Sequence, residues 1–187
     1  MNLYLRFFAN ILKNLLFPER KGGYQSVFEE TKVKLRVWPN DLDINMHMNN
    51  GRFLTLMDIG RTDFTVKTGF HKLMLKNKWG AVVTAINIAY LKPLGPFSKF
   101  ELRTKLLSWD DMWFYFEQRF VKNEKIVAST IVKATFLEGR KKISPADVVS
   151  LSSGEARAPE FPEYLREMVD GEEAFISHLK KSNKGQS

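Results

Sequence analysis

Hydrophobic and polar positions alternate strictly along "TKVKLRVW" (31–38), with Val33, Leu35 and Val37 on one face and Lys32, Lys34 and Arg36 on the other. That period of two predicts a half-buried strand, ended by Pro39. The period then lengthens. Over 50–68, "NGRFLTLMDIGRTDFTVKT", Phe53, Leu56, Met57, Gly60 and Phe64 line one face of a long helix, with Gly69 as a cap beyond its C-terminal end. Glycine in a helix interior costs ~1 kcal/mol relative to alanine, so Gly60 points to close approach of the helix to a sheet. After residue 80 the period of two returns, predicting strands over 81–91, 99–107, 112–121 and 125–137, with "KNEK" as a hairpin turn. A short helical piece after Ser144, a flexible Ser, Gly and Ala stretch and a last helix from about Pro162 to Lys181 complete the pattern.

Strand, long helix, then four antiparallel strands is an α+β order, in which one curved sheet packs on one helix. The strand edges left over would be covered by pairing between subunits. The first stretch, "MNLYLRFFANILKNLLF", is apolar at 1, 4, 5, 8, 11, 12, 15 and 16, with Asn2, Arg6, Asn10 and Lys13 opposite, an amphipathic helix too short and too charged to span a bilayer. Its apolar stripe is expected either against the domain or a partner subunit, or in a membrane interface through residues 1–17. "PERKGG" (18–23) reads as a linker, so the predicted organisation is 1–23 helix and linker, 24–145 the main domain, and 146–187 a C-terminal helical extension with a basic tail.

Composition narrows the chemistry. With 187 residues, 44% of them hydrophobic, the chain can bury a sizeable core, and the absence of cysteine removes disulfides, thiolate metal sites and thiol nucleophiles. This fits a reducing compartment, hence a cytoplasmic protein or one associated with a membrane facing that compartment. The net charge of +8 suits a polyanionic partner. Its basic residues are spread along the chain, and no RNA-binding, zinc-finger or helix-turn-helix signature accompanies them, so nucleic acid is not expected.

The chemistry is concentrated in "DLDINMHMNN" (41–50), between the first strand and the long helix. Asp41, Asp43 and Asn45 have the opening spacing of a calcium loop, but Met46 and Arg52 stand where that loop needs glycine and glutamate. The histidines His47, His71 and His178 form no zinc pair, and there is no G-x-S-x-G elbow. What remains is a carboxylate close to a helix N-terminus, where unpaired N–H groups suit an acceptor oxygen. A carbonyl oxygen resting there would be polarised while the carboxylate attacks the carbonyl or activates water. That is an acyl-transfer site without serine or metal.

"DLDINMHMNNGRF", followed by a long helix and four strands, resembles the hot-dog fold thioesterases of the 4-hydroxybenzoyl-CoA thioesterase type, with their D-x-D-x-x-x-H-x-N-N loop. "HMNNGRFLTLMDIGR" is similar to the subgroup around thioesterase superfamily member 6. The likeness runs from about Thr31 to Ile143. It implies a hot-dog fold and hydrolysis of an acyl-CoA to free acid and CoA, with no cofactor beyond the CoA of the substrate. It also implies Asp43 as general base or nucleophile and the Asn50 backbone N–H as the carbonyl-polarising group. His47 and Asn49 match positions that shape the pocket, and Asp58, on the helix with Arg61, is within reach of it. A homodimer or dimer of dimers is implied, with CoA phosphates held by surface basic groups, of which Arg140, Lys141 and Lys142 are the candidates. The alternatives are a hot-dog protein that binds acyl chains or lipid without catalysis, and a thioesterase acting on acyl carrier protein.

Overall fold

The structure is a computed structural model and describes residues 5–8, 10, 12, 24–154 and 157–184. Strand β1 (Thr31–Arg36) leads through a 3-10 turn (Pro39–Asp41) to helix α1 (Asn50–Lys67) and helix α2 (Phe70–Asn77). Strands β2 (Gly80–Tyr90), β3 (Lys99–Trp109), β4 (Phe114–Lys122), β5 (Lys125–Glu138) and β6 (Lys141–Ile143) follow, then α3 (Pro145–Ser153) and α4 (Glu163–Lys184). The sheet is antiparallel with order β1-β3-β4-β5-β2, and β6 pairs with β5. Register shifts in β2–β5, β3–β4 and β4–β5 are bulges, which bend strands and increase twist.

Helix α1 lies against the sheet through Phe53, Leu56, Met57, Ile59, Gly60 and Phe64, all buried. Phe53 meets Phe120, and Phe64 meets Phe116 and Phe70, in edge-to-face contacts that fix the helix over the strands. The close approach expected at Gly60 is there. A Cβ on Gly60 would lie 2.7 Å from both the Gln118 Nε2 and the Thr104 Oγ1. Gln118 fills the space a side chain would take, donating to the Met57 carbonyl and to Thr104 Oγ1 (3.0 Å each) and accepting from Arg61 Nη1 (2.7 Å). The helix is thus tied to β3 and β4 by a buried polar group with its partners satisfied.

Two elements depart from the sequence pattern. Gly69 closes α1 but also opens α2: its left-handed φ of +82° turns the chain straight into a second helix. "GRKK" reads as the trailing end of a strand, yet Gly139 at φ +59° reverses the chain and Lys141–Ile143 return along Phe136–Glu138 as β6. "KNEK" is the expected hairpin turn, with Asn123 and Glu124 both at positive φ, the two-residue geometry that matches strand twist.

Of the expected placements for the N-terminal apolar stripe, packing on the domain of its own chain is not the one seen at its described positions. Leu5, Phe8 and Leu12 from the apolar stripe are 62%, 64% and 56% exposed, whereas Arg6, from the polar side, is buried. The reason is an ion pair: Arg6 Nη2 donates to Asp41 Oδ2 at 2.7 Å, and Phe7 beside it packs on the core. The stripe positions 1, 4, 11, 15 and 16 and the linker 18–23 lie outside the described residues. At the other end, the segment before α4 covers the outer face of the sheet, where Ser108 Oγ donates to the Pro159 carbonyl and Phe161 meets the Tyr115 ring edge-on.

Candidate active site

The loop between β1 and α1 is a hairpin in miniature. Leu42 and Met48 pair as an isolated antiparallel bridge, and the Asp43 N–H donates to the His47 carbonyl (2.8 Å) and the Asn49 N–H to the Asp41 carbonyl (2.8 Å). Asp41 is its buried post. One carboxylate oxygen accepts from the Trp38 N–H (2.8 Å) and from Arg6, and the other lies 3.6 Å from Arg52 Nε. Two guanidinium groups and a backbone N–H compensate the cost of burying that charge. Arg52 also donates to the Asn40 carbonyl (3.0 Å), holding the loop's entrance to the first turn of α1.

Asp43 stands at the turn. Its Oδ1 accepts from the N–H groups of Asn45 (2.9 Å) and His47 (3.2 Å), an Asx turn that closes over Met46, whose φ is +58°. Its Oδ2 makes no hydrogen bond among the described residues. The half-buried carboxylate is therefore split: one oxygen orders the loop, and the other has no hydrogen-bond duty in it. The tip beside it, with Ile44 at 97% and Met46 at 58% exposure, presents apolar side chains to the outside.

At the helix start, Asn49 is the N-cap: its Oδ1 accepts from the Gly51 N–H (2.8 Å), and its carbonyl accepts from the Arg52 N–H (2.8 Å). The Asn50 N–H has no acceptor among the described residues. It lies at the positive end of the α1 dipole, the place where an oxygen carrying negative charge is stabilised. The Asn50 carbonyl accepts from the Tyr90 hydroxyl (3.1 Å), and the Tyr90 ring meets Phe53 edge-on. Burial pushes the Tyr90 hydroxyl above its usual range. Tyr90, Arg52 and Arg6 are supports that the sequence pattern does not single out. Tyr90 is visible only as a polar-tipped ring at the end of an otherwise apolar strand.

The other predicted residues fall in three places. The His47 ring is exposed and without a hydrogen bond among the described residues, on the rim beside Asp43. Asp58 is exposed on α1 and pairs with Arg61, whose guanidinium pKa is lowered by burial against the opposing pull of Asp58. Arg140, Lys141 and Lys142 are exposed at the β5–β6 turn, where the Lys142 ammonium sits 3.7 Å above the Trp113 ring. Within one chain these basic residues are far from Asn50. Tyr90 pairs with Ala128 and Gly80 with Leu137, so the two ends of β2 are separated by roughly 30 Å at a strand's rise per residue. Among the described residues no helix is long and apolar enough to cross a membrane.

A profile of the family described as the thioesterase-like superfamily matches residues 37–169, which take in this loop, α1 and the sheet from β2 onward. The chain belongs to that superfamily. Protein THEM6 of Xenopus laevis is 36% identical over 129 residues, covering 68% of this chain and 61% of the frog protein, so the match spans less than two thirds of that relative. A probable thioesterase of Saccharomyces cerevisiae, YBR096W, is 27% identical over 161 residues, 78% of this chain and 70% of its own. Among solved structures, a mutant 4-hydroxybenzoyl CoA thioesterase complexed with 4-hydroxybenzoyl CoA superposes with a TM-score of 0.59 at 14% identity, covering 66% of this chain and 99% of that one. The chain thus has the hot-dog fold, a long helix wrapped by a curled antiparallel sheet.

Proposed function

We propose that this protein is an acyl-CoA thioesterase that releases a free acid and CoA. The observation that carries the reading is the loop itself, where the Asp43 carboxylate keeps one oxygen unengaged among the described residues and the chain leads into a helix N-terminus whose first N–H is unclaimed there. With the thioester carbonyl oxygen on the Asn50 N–H, Asp43 takes a proton from water as the water oxygen bonds to the carbonyl carbon. Collapse of the tetrahedral intermediate breaks the C–S bond, and the departing CoA sulfur receives the proton. Direct attack by Asp43, followed by hydrolysis of the anhydride, reaches the same products through the same groups. Asn49 and Tyr90 hold the N–H in place, while His47 and Asp58 contact the substrate at the rim.

The unit of function in this reading is a homodimer or a dimer of dimers. Strand β2 is an edge strand on which Val82, Val83, Ile86 and Tyr90 are exposed, the kind of edge that pairing with a second copy covers. Two-fold antiparallel pairing of β2 with β2 would carry the Gly80 end of one protomer to the Tyr90 end of its partner. That arrangement brings Arg140, Lys141 and Lys142 of one protomer toward the Asn50 of the other, where CoA phosphates need cations. The test compares free thiol release from acyl-CoAs with release from the same acyl groups on acyl carrier protein. Turnover of acyl-CoA supports the reading, with KM raised about ten-fold or more when the three basic residues are replaced by alanine. Turnover of the carrier-bound acyl group alone, or of neither, contradicts it.

A further inference from the structure

The N-terminal helix is docked with its polar side inward. At 100° per residue, Arg6, Phe7 and Asn10 share one side of the helix, and Leu5, Phe8 and Leu12 the other. The first set meets the body of the protein. Arg6 and Asp41, their side chains each 2% exposed, form the buried pair, Asn10 Nδ2 donates to Asp63 Oδ1 (3.4 Å) and Phe7 packs on the core. The second set is more than half exposed at every position. A helix held only by apolar packing would have turned the other way. A specific ion pair instead commits the apolar stripe to the outside.

Around Asp41 lies a second aromatic surface. Its carboxylate accepts from the Trp38 N–H, and the Trp38 ring meets Phe97, 55% exposed at a φ of +57°, at 6.4 Å. The Arg36 guanidinium lies 5.9 Å over the Trp38 ring. Aromatic rings, an outward Phe and flanking cations are the composition of a surface that sits at a membrane interface. Charge separates a lipid surface from a second copy of the chain as the occupant. Besides Arg6, whose charge Asp41 neutralises, the first 23 residues carry Lys13, Arg20 and Lys21 against Glu19, and the whole chain is +8. A two-fold contact through this stripe would bring two chains of net charge +8 onto each other, whereas an anionic bilayer complements that charge.

We propose that the N-terminal helix is an interfacial anchor that lays Leu5, Phe8 and Leu12 into an anionic lipid surface, with Arg6 latching it to the loop that carries Asp43. The site is then held at the bilayer, and its substrates are acyl-CoAs whose chains partition into the membrane, a corollary that rests on the thioesterase reading. The anchor does not depend on that reading. The test is co-sedimentation of the full chain with vesicles of phosphatidylcholine alone and of phosphatidylcholine with phosphatidylserine, beside the variant Leu5→Glu/Phe8→Glu. Both side chains are exposed, so unchanged thermal unfolding checks that the variant folds. Wild type should pellet with the phosphatidylserine vesicles and release at high salt, and the variant should bind at least about ten-fold more weakly. Failure of wild type to pellet, or equal pelleting of the variant, overturns the proposal. Self-association of wild type that the variant abolishes, with no vesicle binding, overturns it too and gives the stripe to a second copy. Thiol release is read separately: its absence in vesicle-bound protein removes the thioesterase reading and leaves the anchor standing.

Discussion

Only one of the two Asp43 carboxylate oxygens is needed to order its loop. Its Oδ1 takes two loop N–H groups, a role an amide oxygen fills equally well, while Oδ2 has no such duty. The spacing of "DLDINMHMNN" makes Asp43, Asn49 and the helix start legible because capping and Asx turns are local and leave local marks. Arg6 is illegible for the opposite reason. Its partner Asp41 is far along the chain, and an apolar stripe read alone suggests the wrong side of the helix for burial. Gly60 lies between these cases: its position in a helix signals close approach, but the group that approaches, Gln118, is set by strand register. Gly60→Ala places a methyl 2.7 Å from a Gln118 amide that hydrogen bonds hold in place. The clash should outweigh the gain in helix propensity and cost about 1–2 kcal/mol, measured by urea unfolding. Unchanged stability would mean that Gln118 can retreat.

At the scale of elements, the period of two found five strands and the period of 3.6 found α1, since each buries one face. It missed α2 and β6: β6 is three residues, too short for a period to show, and α2 follows directly on Gly69, read as a cap, although Phe70, Leu73 and Met74 stand at helical spacing. The outer face of β4 shows what the C-terminal extension contributes. Tyr115 is buried there, its hydroxyl donating to Asp110 Oδ2 (2.7 Å), and burial followed by the Asp110 interaction raises its pKa far above the ordinary 10.0. The raised pKa means that the folded protein keeps its proton where the unfolded chain loses it. The stability linked to Tyr115 is therefore complete below pH 10 and falls as pH rises past that value. Thermal melts of wild type between neutral and strongly alkaline pH should show this loss, and Tyr115→Phe should flatten it. An equal alkaline slope in the variant would place the titrating group elsewhere.

For the whole molecule, the candidate site has its carboxylate and N–H at one end of β2 and its basic residues at the other, so a single copy does not bring them together. A shared site requires a mass in solution of two or four times 21.7 kDa, and a shift to 21.7 kDa when Val83 and Ile86 on the exposed edge become lysine. A wild-type monomer with full activity would contradict the shared site. The central claim, that Asp43 drives thioester hydrolysis, is tested most directly by free thiol release from short, long and aromatic acyl-CoAs, with wild type and Asp43→Asn side by side. Because the protein has no cysteine, every reactive thiol comes from CoA. Asparagine can still accept the two loop N–H groups, so the variant should keep its melting temperature while turnover falls about a hundred-fold or more. Turnover that survives in a folded Asp43→Asn protein would contradict the account.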